Sequence, residues 1–474
     1  MLTKKRILWS MGVVAVLVAI IASQFNLGEL IASQQKKNDQ LIQQQLAHHV
    51  GVLAYLYGYP LVDMHKQMHN ETHQTHAEQQ TYAPPNRFYR FPDLVTPATQ
   101  GNFRAPNNDT LYYTAWFDIS EEPLIIHTPD TDGRYFTIAV TNQYSEVTHL
   151  GRRTHGTDEK YFALVPPHWQ GQLPEGVIAV PVETNKGWLL GRMLVNGPED
   201  FQTAMTLVQN VWLASLSEFT FGERPVLPEP QTAQAIDPLD SLEFFRVMNR
   251  ELKQLPKRSG EEALMAMFDE IGIGPGVDFD PDAISDSTRQ GLLLAIKDAS
   301  GVVQASGQRT IPDFNGWMIS KDIGRYDGYQ FMHRASVVKG GYGNLPEESL
   351  YPAALFDSEG ELLNGGNSYR LHFPANELPP VNGFWSLSTY TLPGMALVEN
   401  EIQRYSIGDR TEGLRFNDDG SLTIILQHKQ PADDVTNWMP VPAGNFIAVM
   451  RLYEPQAAAL DNSYLLPRLV QVDE

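Results

Sequence analysis

Ten short alternating runs, each bounded by Pro, Gly, Asn or Asp, constrain the fold of this chain most. Leu111 to Phe117, Leu124 to Thr128, Arg134 to Val140, Tyr161 to Val165, Val177 to Val182 and Trp188 to Val195 form one group. Tyr369 to Phe373, Phe384 to Thr391, Leu422 to Gln427 and Phe446 to Tyr453 form a second. Strands this short and this dense predict antiparallel sandwiches or barrels, not a parallel sheet. Between the groups the period changes. Phe201, Met205, Val208, Trp212 and Leu216 form one helical stripe, and Leu242, Phe245, Met248, Leu252 and Leu255 form another. The predicted organisation is mainly β with a helical connector. Residues 1–32 are an anchor and the start of a spacer, 33–197 an N-terminal β domain with a leading helix, 198–308 the connector, and 309–474 a C-terminal β domain. At 474 residues and 42% hydrophobic content, the chain has enough apolar material for more than one core.

The leading helix is read from Leu46, Val50, Leu53, Ala54 and Tyr57, and is expected to end near Gly58-Tyr59-Pro60. Ahead of it, Ser33 to Gln45 is rich in Gln, Lys and Asn and suits a spacer. Lys4-Lys5-Arg6 precedes the uncharged apolar run Ile7 to Ala22, which predicts export. Ile20 stands where a signal peptidase prefers a small residue, so an uncleaved anchor is favoured over a cleaved signal. The expected location is the bacterial inner membrane with the body in the periplasm. Thirty-five Lys and Arg against 56 Asp and Glu give a net charge of -21, which repels nucleic acid. The absence of cysteine excludes disulfides, thiolate metal sites and Cys nucleophiles.

Two polar and aromatic blocks stand out within the β regions. The first is Asn107-Asn108-Asp109-Thr110-Leu111-Tyr112-Tyr113. On a strand, Tyr112, Thr114 and Trp116 share one face, which would stack a sugar or planar ligand while Asp109 and the amides bind its polar groups. The competing reading is a turn set by Asn and Asp bonding nearby backbone. The second block is Trp385 to Tyr390, which with Arg404, Tyr405, Trp438 and Arg451 would surround an anion or glycan. Its competing reading puts Trp385 and Trp438 in the core and pairs Arg404 with Asp409 or Glu412.

These blocks carry a resemblance. Tyr57-Gly58-Tyr59-Pro60, Asn107 to Tyr112, Trp116-Phe117-Asp118 and Gly151-Arg152-Arg153-Thr154 resemble domain of unknown function 1254. Trp385 to Tyr390, Asn400, Arg404 to Ile407, Asp418 to Leu422, Asn437 to Pro440, Phe446 and Arg451-Leu452-Tyr453 resemble domain of unknown function 1214. The resemblance covers most of residues 50–455 and implies two jelly-roll-like β domains joined by helices in an exported protein. It implies no catalytic residue.

His65, His69, His73 and His76 would lie at about 0°, 40°, 80° and 20° around a helix, inside one narrow arc. Over a rise of roughly 16 Å, only neighbours three or four apart can share a metal, and further ligands would be needed. No cofactor is expected, a metal held by these histidines being the alternative. Asp109 is the candidate catalytic residue, and Asp109 with Asp118 is a candidate carboxylate pair for glycoside chemistry. The motifs of the common hydrolases, metalloproteases and nucleotide-binding proteins are absent from the sequence. The predicted function is a membrane-tethered envelope protein, open to self-association, that binds a small molecule or glycan in an aromatic and polar cleft, with hydrolysis or lyase cleavage left open. The alternatives are a non-enzymatic structural or assembly protein and a metal-dependent enzyme using the histidine helix.

Overall fold

A computed structural model describes residues 2–76, 79, 81–101, 105–222, 229–306, 313–326, 328, 330–431 and 435–472, with the side chains of residues 2–26 outside the description. The protein is mainly β, with four sheets and a long N-terminal helix. Among the described residues no helix is long and apolar enough to cross a membrane. The side chains of the run 7–22, expected as the anchor, lie outside that description.

The N-terminal helix runs from Leu2 to Thr72, through the expected spacer and through Pro60. The expectation that it stops near Pro60 is corrected. Proline removes one backbone hydrogen bond, but Tyr57, Tyr59, Leu61 and Val62 around it are all buried, and this packing carries the helix past the break.

The chain divides into two compact units. One holds residues 1–56, 238–253 and 258–301 and is helical. Here Tyr55 stacks on Phe244 at 4.2 Å, and Gly51 faces Ala295 so closely that a Cβ on it would come within 2.8 Å. The other unit holds residues 57–237, 254–257 and 302–474, and so contains both strand groups.

In the first group, an antiparallel five-stranded sheet runs in the order Tyr89–Arg90, Thr110–Asp118, Lys186–Leu194, Phe136–Asn142, Val147–Gly151. A four-stranded sheet packs on it in the order Val177–Pro181, Lys160–Val165, Leu124–Thr128, Trp212–Ser215. Leu111, Tyr113, Ala115 and Phe117 from one sheet meet Leu124, Ile126, Phe162 and Leu164 from the other. Gly191 has to lack a side chain, since a Cβ there would fall 2.0 Å from the Tyr113 ring. In the second group, Ser368–Phe373 and Leu422–Gln427 cover Trp385–Thr391 and Phe446–Tyr453 around a second core.

Two sequence expectations change. Neither four-stranded sheet is purely antiparallel: Lys160–Val165 pairs in parallel with Val177–Pro181, and Leu422–Gln427 with Trp438–Pro440. The connections, residues 166–176 and 428–437, are slightly shorter than the dozen or so residues usual for joining parallel strands. The stripe from Phe201 to Leu216 is not one helix, because it stops at Gln209 and Trp212–Ser215 becomes an edge strand beside Leu124–Thr128.

Strand Thr110–Asp118 sends its odd-numbered residues into the first core, which leaves Tyr112, Thr114 and Trp116 on the opposite face with Leu190 and Arg192 of the neighbouring strand. Part of that face packs against the second strand group, where Tyr112, Ala139, Val147 and Leu190 join Leu345, Tyr390, Ile447 and Val449 in one apolar cluster.

Candidate functional site

The two motif blocks meet at this seam. Asn107 closes a side-chain turn: its Oδ1 accepts from the backbone N–H of Asp109 and Thr110 and from Thr110 Oγ1, each at 3.0 Å. Its Nδ2 donates to the Tyr453 hydroxyl at 2.8 Å and its backbone N–H to the Tyr112 hydroxyl at 3.2 Å, while Asn108 Nδ2 donates to the Val95 carbonyl at 2.6 Å. The turn aims Asp109 into the second strand group. Asp109 is 4% exposed, and its carboxylate accepts from Ser386 Oγ at 2.6 Å, Arg410 Nη2 at 2.8 Å and Ser406 Oγ at 3.0 Å. Gly151 to Thr154 makes a second tie, in which Arg152 forks onto Glu454 at 3.0 and 2.6 Å and Arg153 reaches Glu348 at 2.7 Å. Asp109 therefore holds the two β halves together, and its oxygens are committed to that task.

Beside this knot, two more arginines enter without a carboxylate. Arg192, on strand Lys186–Leu194, lies over the Tyr112 ring at 5.5 Å and donates to Asn344 Oδ1 at 3.0 Å. Asn344 Nδ2 in turn donates to the Tyr351 hydroxyl at 2.8 Å. Arg451, 2% exposed, lies over the Tyr390 ring at 5.5 Å and donates to the Ala105 carbonyl at 2.7 Å and to the Tyr390 hydroxyl. Tyr390 Oη donates to the Pro106 carbonyl at 2.7 Å. The Tyr453 hydroxyl is the hub, with Tyr351, Tyr112, Arg451 and Arg192 all within its electrostatic reach. Burial pushes the Tyr453 phenol well above its usual range, so it keeps its proton at neutral pH. Burial and the Arg153 and Arg192 guanidiniums hold His149 well below the ordinary imidazole value. As a neutral ring it accepts the Leu345 N–H at 3.3 Å. Among the described residues neither Arg192 nor Arg451 forms an ion pair, and Arg192 Nε and Arg451 Nη1 are buried with no hydrogen-bond acceptor.

Of the predicted ligand residues, then, Asn107, Asp109, Tyr112, Tyr390 and Arg451 come together, and Asn108 braces the turn. Trp385, buried against Phe373, belongs to the second core. Arg404 donates to the carbonyls of Val435, Thr436 and Trp438 at 2.6 to 2.9 Å. Trp438 instead borders an outer groove of about 720 Å³ with Arg415, Phe416, Asn417 and Asn437, in which the Asn437 amide bonds the Arg415 backbone and the Asn417 amide donates to the Ser421 and Thr423 hydroxyls. Asp109 and Asp118 sit at opposite ends of one nine-residue strand, roughly 30 Å apart, too far for glycosidase carboxylates. The histidine arc fails for a simple reason: the helix ends at Thr72, before His73 and His76. His69 and His73 stack at 4.5 Å, and their ring nitrogens donate to the Gln234 and His69 carbonyls. His65 stays on the helix and His76 is exposed. Among the described residues no three His, Asp or Glu side chains gather to hold a metal ion.

Sequence reasoning missed Arg192, Tyr351, Ser406, Arg410 and Tyr453 as partners of the seam, and it missed an acidic stripe on the N-terminal helix. Arg192 was legible as the one charge alternating with Trp188 and Leu190 on a strand otherwise read as apolar. Asp63, Gln67 and Glu71 are spaced by four, which lines them along one helix face. Glu71 accepts from Trp116 Nε1 at 2.7 Å and Asp63 from the Tyr342 hydroxyl at 3.1 Å. Trp188 bridges the two, 6.0 Å from Trp116 and 5.5 Å from Tyr342. Burial pushes Glu71 up to about 7 against a bond from Trp116 that lowers it, and also raises Asp63. Because the folded value of Glu71 lies above its unfolded one, its contribution to stability is complete below pH 4.5 and is lost as pH rises through 7. A shift of this size corresponds to about 3 kcal/mol between those limits. Glu71→Gln is expected to flatten the fall in urea midpoint between pH 5 and pH 8; an unchanged slope would rule out this origin.

Two family models match the chain in order, Protein of unknown function (DUF1254) over residues 85–215 and Protein of unknown function (DUF1214) over residues 348–457. The seam residues Asn107, Asp109 and Tyr112 fall in the first, and Tyr390, Arg410 and Arg451 in the second. Among solved structures, the VPA0106 protein from Vibrio parahaemolyticus is 26% identical with a TM-score of 0.69, over 90% of this chain and 100% of that one. An uncharacterised protein from Burkholderia cenocepacia aligns over 94% of this chain and 98% of its own at 13% identity, but its TM-score of 0.43 carries no argument. No curated protein matches the chain. The chain belongs to the family that joins a DUF1254 domain to a following DUF1214 domain.

Proposed function

We propose that this is an envelope protein, tethered by its N-terminal helix with its body in the periplasm, whose two jelly-roll-like domains bind a small molecule at the seam between them. The observation that carries the reading is the guanidinium and tyrosine cluster. Buried polar groups are almost always paired, and a buried charge without a partner costs stability. Among the described residues Arg192 Nε and Arg451 Nη1 are buried donors with no acceptor, placed where the two motif blocks converge. Nothing in the seam requires turnover, and Asp109 acts as a clamp. A structural role for the Asp109 turn itself is favoured by its complete pairing, and it coexists with ligand binding a few residues away.

A thermal-unfolding screen with neutral sugars, amines, carboxylates and phosphates tests this reading. A binder at 100 times its Kd adds about 2.7 kcal/mol to stability, a shift of about 3 °C for a chain of this length. We expect one class to raise the midpoint of the wild type and to do so less in Tyr453→Phe, which loses only a hydroxyl. A screen in which no class moves the wild type, or in which the variant responds equally, would defeat it.

A further inference from the structure

The geometry points to a small organic carboxylate as the ligand of the seam, held by Arg192, Arg451 and the hydroxyls of Tyr351 and Tyr453. This rests on the seam being a binding site and names what it binds. Hydrogen-bond donors outnumber acceptors here. Arg192 Nε–H and Arg451 Nη1–H have no acceptor among the described residues. The Tyr453 hydroxyl accepts from Asn107 and the Tyr351 hydroxyl accepts from Asn344, which leaves the proton of each phenol to be donated elsewhere. Four donors thus face a region whose acceptors are spent: Asn107 Oδ1 on its own turn, Asn344 Oδ1 on Arg192, and the Asp109 carboxylate on Arg410 and two serines. A ligand that fits has to bring acceptors.

Charge gives the same answer. Arg410 is paired with Asp109, Arg152 with Glu454 and Arg153 with Glu348, whereas among the described residues Arg192 and Arg451 touch no carboxylate, Asp109 acting on Arg451 only at longer range while its oxygens bond Arg410 and two serines. The ligand is therefore an anion, and the guanidinium fork complements a carboxylate plane. The surroundings separate carboxylate from phosphate. All four donors are side chains: Arg192 and Arg451 lie over Tyr112 and Tyr390 of the apolar cluster that includes Leu190, Leu345 and Val449, and Tyr453 packs with Tyr135 and Phe384. None is a backbone N–H at a helix start or nest, a frequent element of phosphate sites. Such walls suit the apolar body of an organic acid. Arg451 and Tyr453 are buried, whereas Arg192 and Tyr351 keep partial exposure.

The test is calorimetric titration of the full chain with benzoate, with benzamide as its neutral isostere, and with inorganic phosphate. Benzoate is expected to bind at least 100-fold more tightly than benzamide or phosphate, and to weaken about 10-fold in Tyr453→Phe and in Tyr351→Phe, each lacking one donor. Equal binding of benzoate and benzamide, with Tyr453→Phe weakening both, would overturn the carboxylate and leave the seam as a binding site. Phosphate binding in preference to benzoate would overturn it likewise. Benzoate binding that neither variant alters would overturn the placement. Should a variant fail to fold, the wild-type comparison of benzoate, benzamide and phosphate still decides the ligand class.

Discussion

Asp109→Ala is expected to lower the unfolding free energy by about 4 kcal/mol, the range measured when one partner of a buried ion pair is removed. Three groups lose their acceptor at once. Arg410 would be left over the Phe384 ring, 4.2 Å from its centroid, with its guanidinium reduced to the Val195 carbonyl at 2.8 Å and its own neighbour Asp409. Ser386 and Ser406 would each be left with an unmatched hydroxyl, Ser386 fully buried. Because Asp109 and these three groups belong to different β halves, the loss should also appear as less cooperative unfolding. The double variant Asp109→Ala, Arg410→Met removes the orphaned charge and should recover roughly half of the cost. Denaturant unfolding of the two single variants and the double variant measures this, and a loss under about 1 kcal/mol for Asp109→Ala would mean that the turn does not clamp the halves.

Arg192→Met is expected to act with the opposite sign. Arg192 has no carboxylate contact among the described residues and gives up one bond to Asn344 and its place over the Tyr112 ring, which an apolar side chain can also cover, so the ligand-free protein should be unchanged or about 1 kcal/mol more stable. The same substitution removes a forked donor and a positive charge from the proposed anion site, and benzoate affinity should fall by about 100-fold or more. Greater stability with lost binding is what separates a ligand group from a structural one. If Arg192→Met instead destabilises as much as Asp109→Ala does, Arg192 serves the fold alone.

The strands were legible because their pattern is local. Leu124–Thr128, Leu422–Gln427 and Phe446–Tyr453 lie where alternation and turn residues put them, and Thr110–Asp118 extends the expected run by one residue at each end. Tyr112, Thr114 and Trp116 do share a face. What alternation cannot carry is the identity of the partner. Ser386 and Arg410 are 277 and 301 residues from Asp109, and nothing near Asp109 indicates that its carboxylate will meet them. Arg192 was hidden differently, inside a segment read as an apolar strand. The acidic stripe of Asp63, Gln67 and Glu71 was obscured by the histidines interleaved with it. Trp212–Ser215 shows the converse error, a helical period overridden by an available sheet edge.

A crystal structure of the protein grown with 4-iodobenzoate, its iodine located by anomalous scattering, puts the seam to the most direct test. The carboxylate is predicted to lie between Arg192, Arg451 and the Tyr453 hydroxyl, accepting from Arg451 Nη1. Iodobenzoate found only in the outer groove beside Trp438, or nowhere in the molecule, would contradict a carboxylate-binding seam between the two strand groups.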